Sequence, residues 1–176
     1  MQVTQMKIGL FYGSTTCYTE MAAEKIRDFI GEDIVDLYNI KDTGLSDTAN
    51  YDLLIFGIST WDFGELQEDW EAQWSDANQL DLNNKTVAIY GLGDQEDYGQ
   101  WFQDAVGMLH DAIQHNDCRR IGYWPNQGYQ FEASKALTAD KSQFVGLSLD
   151  DENQYDLTDS RIQDWCLQIL EEIAEG

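Results

Sequence analysis

The run DLLIFGIS, residues 52–59, is apolar on both faces, as a strand buried in the middle of a parallel sheet has to be. Similar short runs recur along the chain, separated by segments of helical period. KIGLFY (7–12), DIVDLY (33–38), KTVAIYGLG (85–93) and RRIGYW (119–124) read as further strands. QFVGLSL (143–149) reads as the continuation of the fifth strand after an insertion at about 125–142. A helix from about Thr16 places Tyr18, Met21, Ala22, Ile26, Phe29 and Ile30 on one face and stops at Gly31. An acidic, Trp-containing helix covers about 66–78, and a third carries Phe102, Ala105, Val106, Leu109, Ala112 and Ile113 along one stripe. The last turns Ile162, Trp165, Cys166, Ile169, Leu170 and Ile173 inward, with Thr158 as its N-cap. This alternation predicts an α/β fold, a parallel sheet covered by helices on both faces, in a single domain over 1–176.

In such sheets a ligand sits beyond the carboxyl ends of the strands, where the strand order switches. The segments to inspect are therefore Tyr12–Thr19, Ser59–Glu65 and Leu92–Tyr98. The first, GSTTCYTE, lacks the Lys and the spacing of a triphosphate loop, and no dinucleotide fingerprint is present. It does offer the hydroxyls of Ser14, Thr15, Thr16 and Thr19 beside the free N–H groups of a helix start. Those can hold one monophosphate without a cation; the plainer alternative is a helix cap rich in Ser and Thr. Trp61 and Tyr98 follow adjacent strand ends, with Asp94 between strand and Tyr98, and together they make a slot for a flat ring system.

Charge narrows the function further. With 33 Asp and Glu against 10 Lys and Arg, the formal charge is -23, which repels nucleic acid and anionic membranes and steers basic proteins. From Trp61 to Asn84 there are seven carboxylates and no Lys or Arg. The three cysteines, Cys17, Cys118 and Cys166, are far apart, which fits a reducing cytoplasm better than a disulfide framework or a zinc site. No run approaches a membrane span, and the start, MQVTQMKIGLFYG, lacks the apolar core of a leader.

The stretches GLFYGSTT, STWDFGELQEDW, GLGDQEDYGQWFQDA, GYWPNQGYQF and FVGLSLDDENQYDLTDSRI resemble the flavodoxins nearly end to end. Those are FMN-binding electron carriers. The insertion resembles that of the long-chain subgroup, and YGSTTCYTEMAAEKIRD is similar to flavodoxin 2 sequences. The resemblance implies a five-stranded sheet of order 2-1-3-4-5, for which flavodoxin is itself the standard example. It implies that Ser14, Thr15, Thr16, Cys17, Tyr18 and Thr19 hold the FMN phosphate and that Trp61 and Tyr98 sandwich the isoalloxazine. Ser59, Thr60, Asp62, Phe63 and Gly64 would line the ring edge, Leu92, Gly93 and Asp94 the pyrimidine end, and Asp150 the far rim. The implied role is that of a low-potential one-electron carrier, taking electrons from a basic NADPH-dependent reductase to acceptor enzymes, as a cytoplasmic monomer without substrate turnover of its own.

Two positions depart from the family's pattern. Many flavodoxins have Gly where this chain has Cys17; if Cys17 is the first helical residue, its φ is about -60° and Gly is unnecessary. At Asp62–Phe63 the family's peptide turns to offer a carbonyl to the flavin edge, which Gly permits more cheaply than Asp. A related NAD(P)H:quinone oxidoreductase is the alternative function, but it needs an open flavin face. A signalling receiver domain needs an Asp and a Lys where this chain has Ser59–Thr60 and YWPNQG. His110 and His115 read as surface residues, and DDENQYD as a solvated turn without the Gly and final Glu of a calcium loop.

Overall fold

The computed structural model describes residues 6–176; residues 1–5, where the segment read as lacking a leader begins, lie outside it. In chain order, β1 (Ile8–Tyr12), α1 (Tyr18–Ile30), β2 (Val35–Asn39) and the single turn α2 (Ile40–Thr43) precede the long central β3 (Leu53–Trp61). Then come β4 (Glu65–Leu66), α3 (Glu68–Ala72), α4 (Trp74–Asn78), β5 (Thr86–Leu92) and α5 (Asp104–Ala112). The chain continues through β6 (Arg119–Arg120), β7 (Trp124–Pro125), β8 (Gln143–Phe144), β9 (Leu147–Leu149) and α6 (Tyr155–Glu175). The sheet order is β2-β1-β3-β5-β6, with β9 also paired to β5, all parallel. Counting β5 as the fourth strand and β6 with β9 as a divided fifth, this is the expected order 2-1-3-4-5.

Side-chain alternation splits the core into two layers. Ile8, Leu10 and Tyr12 of β1 face Ala22, Ala23 and Ile26 of α1 and Trp165, Cys166 and Ile169 of α6. Phe11 between them faces the other side, with Phe56, Trp70, Phe102, Val106 and Leu109. At the centre, Gly57 of β3 lies opposite Tyr90 of β5, and a Cβ at Gly57 would sit 2.3 Å from the Tyr90 ring. The bare strand lets that ring lie across it, and the buried Tyr90 hydroxyl reaches the Thr19 carbonyl at 2.8 Å.

Several expected details change. Met21 and Phe29 are exposed, and the small residues Thr19 and Ala23 are buried instead, so α1 approaches the sheet closely. The helix expected at about 66–78 is two short ones, because Gln73 leaves helical geometry and shares its N–H between the Asp69 and Trp70 carbonyls. Thr158 caps nothing: it is buried in the first turn of α6 and donates to Asp151 Oδ1 at 2.5 Å. His110 is half-buried, its Nε2 2.7 Å from the Tyr123 hydroxyl, and burial holds its pKa below the usual 6.5.

The fifth strand breaks earlier than its apolar run suggests. Pairing to β5 persists to Ile121, whose N–H donates to Val87, and then Gly122 turns out at φ 79°. Trp124–Pro125 and Gln143–Phe144 form an antiparallel ribbon of their own before the chain rejoins β5 at Leu147. Phe131 of the insertion and Phe144 of β8 pack on α5's approach, 5.4 and 5.8 Å from Phe102, ring centre to ring centre.

Candidate functional site

β1, β3 and β5 end at the same edge of the sheet, so the loops that follow them converge. Two backbone bonds pin the convergence: Gly13 N–H to Gly57 carbonyl at 3.2 Å, and Gly93 N–H to Leu149 carbonyl at 3.0 Å. Between the loops lies a cleft of about 240 Å³. Its walls are Thr16 and Tyr18 from the first loop, Ser59, Thr60, Trp61 and Asp62 from the second, and Leu92, Gly93, Asp94 and Tyr98 from the third. Asp151 and Glu152 close the remaining side. None of these residues carries a positive charge.

The remaining expected site residues stand off the cleft wall. Ser14 and Thr15 form the back of the first loop, where Ser14 Oγ accepts from the Glu20 N–H at 3.4 Å. Thr19 is buried and bonded through its hydroxyl to that of Ser59, which ties the first two loops together. Phe63 is 68% exposed and packs outside the cleft, its ring 5.1 Å from Trp101 and 6.4 Å from Tyr98. Gly64 turns the hairpin between β3 and β4 at φ 86°, and Asp62 is already left-handed at φ 44°.

Cys17 corrects an expectation. It is not the first helical residue but the N-cap of α1, at φ 70° and ψ -10°, and its side chain caps nothing. The loop reverses direction immediately before the helix, and that reversal requires a left-handed residue, for which a Cβ costs about 1–2 kcal/mol. Gly is therefore the cheaper residue there. Cys17→Gly is expected to raise the free energy of unfolding by about 0.5–1 kcal/mol, the relief of strain less the added freedom of the unfolded chain. Urea midpoints of the two proteins measure it, and a lowered midpoint would mean the thiol makes a compensating contact.

Asp150 is a second correction. It is fully buried beneath the rim, not on it, and accepts from the Gln95 N–H at 3.1 Å, Gln95 Nε2 at 2.7 Å, Asn153 N–H at 3.1 Å and Asn153 Nδ2 at 2.9 Å. Asn153 Nδ2 also reaches Asp94 Oδ1 at 2.8 Å, and Gln95 Oε1 accepts from the Gln130 N–H at 2.6 Å. Asp150 thus fastens the third loop to the end of β9, Gln95 links that loop to the insertion, and the rim is left to Asp151 and Glu152. Sequence reading passed over those two because three adjacent carboxylates gave no signal of which would point inward. It also passed over Gln67, a wholly buried amide between the first two loops.

Burial raises the carboxyl pKa of both Asp104 and Asp151 above 3.8. Each such group contributes stability that is complete below 3.8 and is lost as pH rises through the folded value. His110 has the opposite sign: its contribution is present above 6.5 and lost as pH falls through its lowered value. Asp151→Asn is therefore expected to raise the melting temperature more at pH 7 than at pH 4.5. Thermal unfolding at both values tests this, and an equal shift at both would refute it.

The sequence profile of the Flavodoxin family matches residues 10–165. The chain belongs to the flavodoxin family. Flavodoxin 2 of Escherichia coli strain K12 is 59% identical over 170 residues, covering 97% of this chain and 98% of that one. A flavodoxin of Nostoc strain PCC 7120 is 48% identical over 168 residues, covering 96% and 98%. A Fusobacterium nucleatum flavodoxin solved with flavin mononucleotide superposes at a TM-score of 0.88 and 30% identity, covering 94% and 98%. In this flavodoxin, as the family implies, the role is electron transfer and not turnover of a substrate. Among its described residues no helix is long and apolar enough to cross a membrane.

Proposed function

We propose that the cleft holds FMN non-covalently and that the protein, a cytoplasmic single-domain monomer, carries single electrons at low potential. The donor would be a basic NADPH-dependent reductase and the acceptors enzymes that need strong reductants. One observation carries this reading most: two aromatic side chains, Trp61 and Tyr98, line a cleft whose walls hold carboxylates and no cation. The fit has independent support in the Trp61 indole N–H, which is buried without an acceptor among the described residues. A ligand with acceptor atoms at this wall would satisfy it.

FMN, when bound, supplies the one-electron chemistry. Trp61 and Tyr98 would cover the two faces of the ring and exclude water. Thr16 and Tyr18, with the free N–H groups at the start of α1, would receive the phosphate. Asp62, Asp94, Asp151 and Glu152 stand around the ring site and disfavour any added negative charge there. A few kcal/mol of such repulsion lowers the potential for the second electron by on the order of 100–200 mV, since about 59 mV per electron is a tenfold change. Glu65, Glu68, Asp69 and Glu71 form the adjacent acidic rim, which steers a basic partner in brief, salt-sensitive encounters.

Titration of protein stripped of flavin with FMN tests the reading by quenching of flavin fluorescence. Trp61→Ala is expected to weaken FMN by about ten- to a hundredfold, the value of one aromatic stacking partner. No quenching by the unaltered protein would end the proposal. The quinone oxidoreductase alternative predicts bleaching of the bound flavin by NADPH alone, and the carrier reading predicts none without a reductase.

A further inference from the structure

Four carboxylates stand around the cleft, and one of them is held differently from the others. Asp62 and Glu152 are exposed. Asp94 Oδ1 serves three donors, the N–H groups of Glu96 at 3.1 Å and Asp97 at 3.0 Å and the Asn153 side-chain amide at 2.8 Å. Asp151 is half-buried on the cleft wall, and its side-chain donor is the Thr158 hydroxyl, which reaches Oδ1 at 2.5 Å. Thr158 is itself buried on α6, so it fixes the carboxyl group against the wall. A hydroxyl donating to Oδ1 serves a carboxylate and a carboxylic acid alike, since the proton of the acid can sit on Oδ2. The wall therefore accommodates Asp151 in either state without rearrangement.

The surrounding charges are mostly of like sign. Asp150 and Glu152 flank Asp151 in the chain, Asp159 faces it from α6, and Asp94 shares the cleft. Against them stands Lys25 of α1, which is already engaged by Asp159 at 2.7 Å and lies over the Tyr155 ring at 5.2 Å. Burial first, and then the charges of Asp150 and Asp159, keep the Asp151 carboxyl pKa above 3.8 before any ligand enters. A further negative charge in the cleft acts in the same direction. We infer that Asp151 is the proton acceptor of the reduction: when the flavin ring takes its second electron from the donor, the Asp151 carboxylate takes one proton from solvent. One O–H bond forms on Asp151, none breaks in the chain, and the net charge of the site is unchanged. The inference rests on the reading that the cleft holds FMN. It makes the second potential depend on pH. At low pH Asp151 carries the proton in both redox states, and at high pH in neither. Between those limits the potential falls by about 59 mV per pH unit, a tenfold change in proton activity for one electron.

Potentiometric titration of the FMN-loaded protein from acid to neutral pH tests this. The second potential is expected to fall as pH rises and then to level off. Asp151→Asn removes a charge and so raises the potential at neutral pH, but a lost charge by itself only offsets the curve. The expected result is loss of the slope. A slope that persists unchanged in Asp151→Asn places the proton on the ring and overturns the inference, as does a potential independent of pH in the unaltered protein. The Asp151 carboxyl carbon, followed by NMR, gives a second reading that needs no variant and decides the matter if Asp151→Asn does not fold. Its titration midpoint is expected to lie about one pH unit or more higher in the fully reduced protein than in the oxidised one, a tenfold gain in proton affinity. Equal midpoints overturn the inference. If protein stripped of flavin does not bind FMN at all, the cofactor reading fails first; if it binds FMN and gives any of the contrary results, only the role of Asp151 is lost.

Discussion

Trp70→Ala is expected to lower the free energy of unfolding by about 3–5 kcal/mol, the range for removing a fully buried Trp. The ring has no exposed surface, meets Phe56 edge-on at 5.8 Å between centroids, and donates its indole N–H to the Gly57 carbonyl at 2.8 Å. It also lies under the first site loop, since a Cβ at Gly13 would be 2.9 Å from Trp70 Cδ1. The cavity left by the substitution therefore opens beneath the proposed phosphate site, and FMN affinity should fall with stability. Trp70→Phe retains most of the volume and loses the N–H, so it should cost only about 1–2 kcal/mol beyond any strain. Chemical unfolding of both variants measures the difference. Equal costs would mean that packing contributes little there and the Gly57 bond nearly everything.

Asp150→Ala is expected to cost about 3 kcal/mol, because four N–H groups lose one buried acceptor and two of them are backbone groups that cannot turn away. Unlike a core truncation, this change should act mainly on the third site loop. Gln95 would be released from Asp150 while still holding the Gln130 N–H, so the loop bearing Tyr98 would shift with the insertion. FMN affinity should therefore fall more in Asp150→Ala than in a core variant of matched stability. Asp150→Asn retains acceptors for part of the set and should recover part of the loss. A variant with normal FMN affinity at reduced stability would show that Asp150 does not govern the Tyr98 loop.

The parallel sheet and the three loops at its strand ends were legible because apolar runs report burial and glycines report strand ends, while the strand order came from the resemblance to the flavodoxins. Trp61 and Tyr98 could be paired from the sequence because both follow strand ends that topology makes adjacent. What stayed hidden depended on orientation within a loop. Cys17 is left-handed because the chain must reverse before α1, and no neighbouring residue type announces that reversal. Asp150, Asp151 and Glu152 are chemically alike, and only the packing of Gln95 and Thr158 distinguishes the buried one from its neighbours on the rim. Gln67 gave no signal because a lone Gln before an acidic helix reads as surface. Met21 and Phe29 misled for a simpler reason, since hydrophobic residues also occur singly on exposed faces.

The close fit of Gly57 against Tyr90 constrains how such a chain can drift. A descendant that acquired any larger residue at 57 would have to surrender the ring at 90, and with it the hydroxyl holding the Thr19 carbonyl. The reverse order, losing the ring first, leaves a void but no collision. Divergence at these two sites has a permitted direction, and the bulky partner must be the first to go.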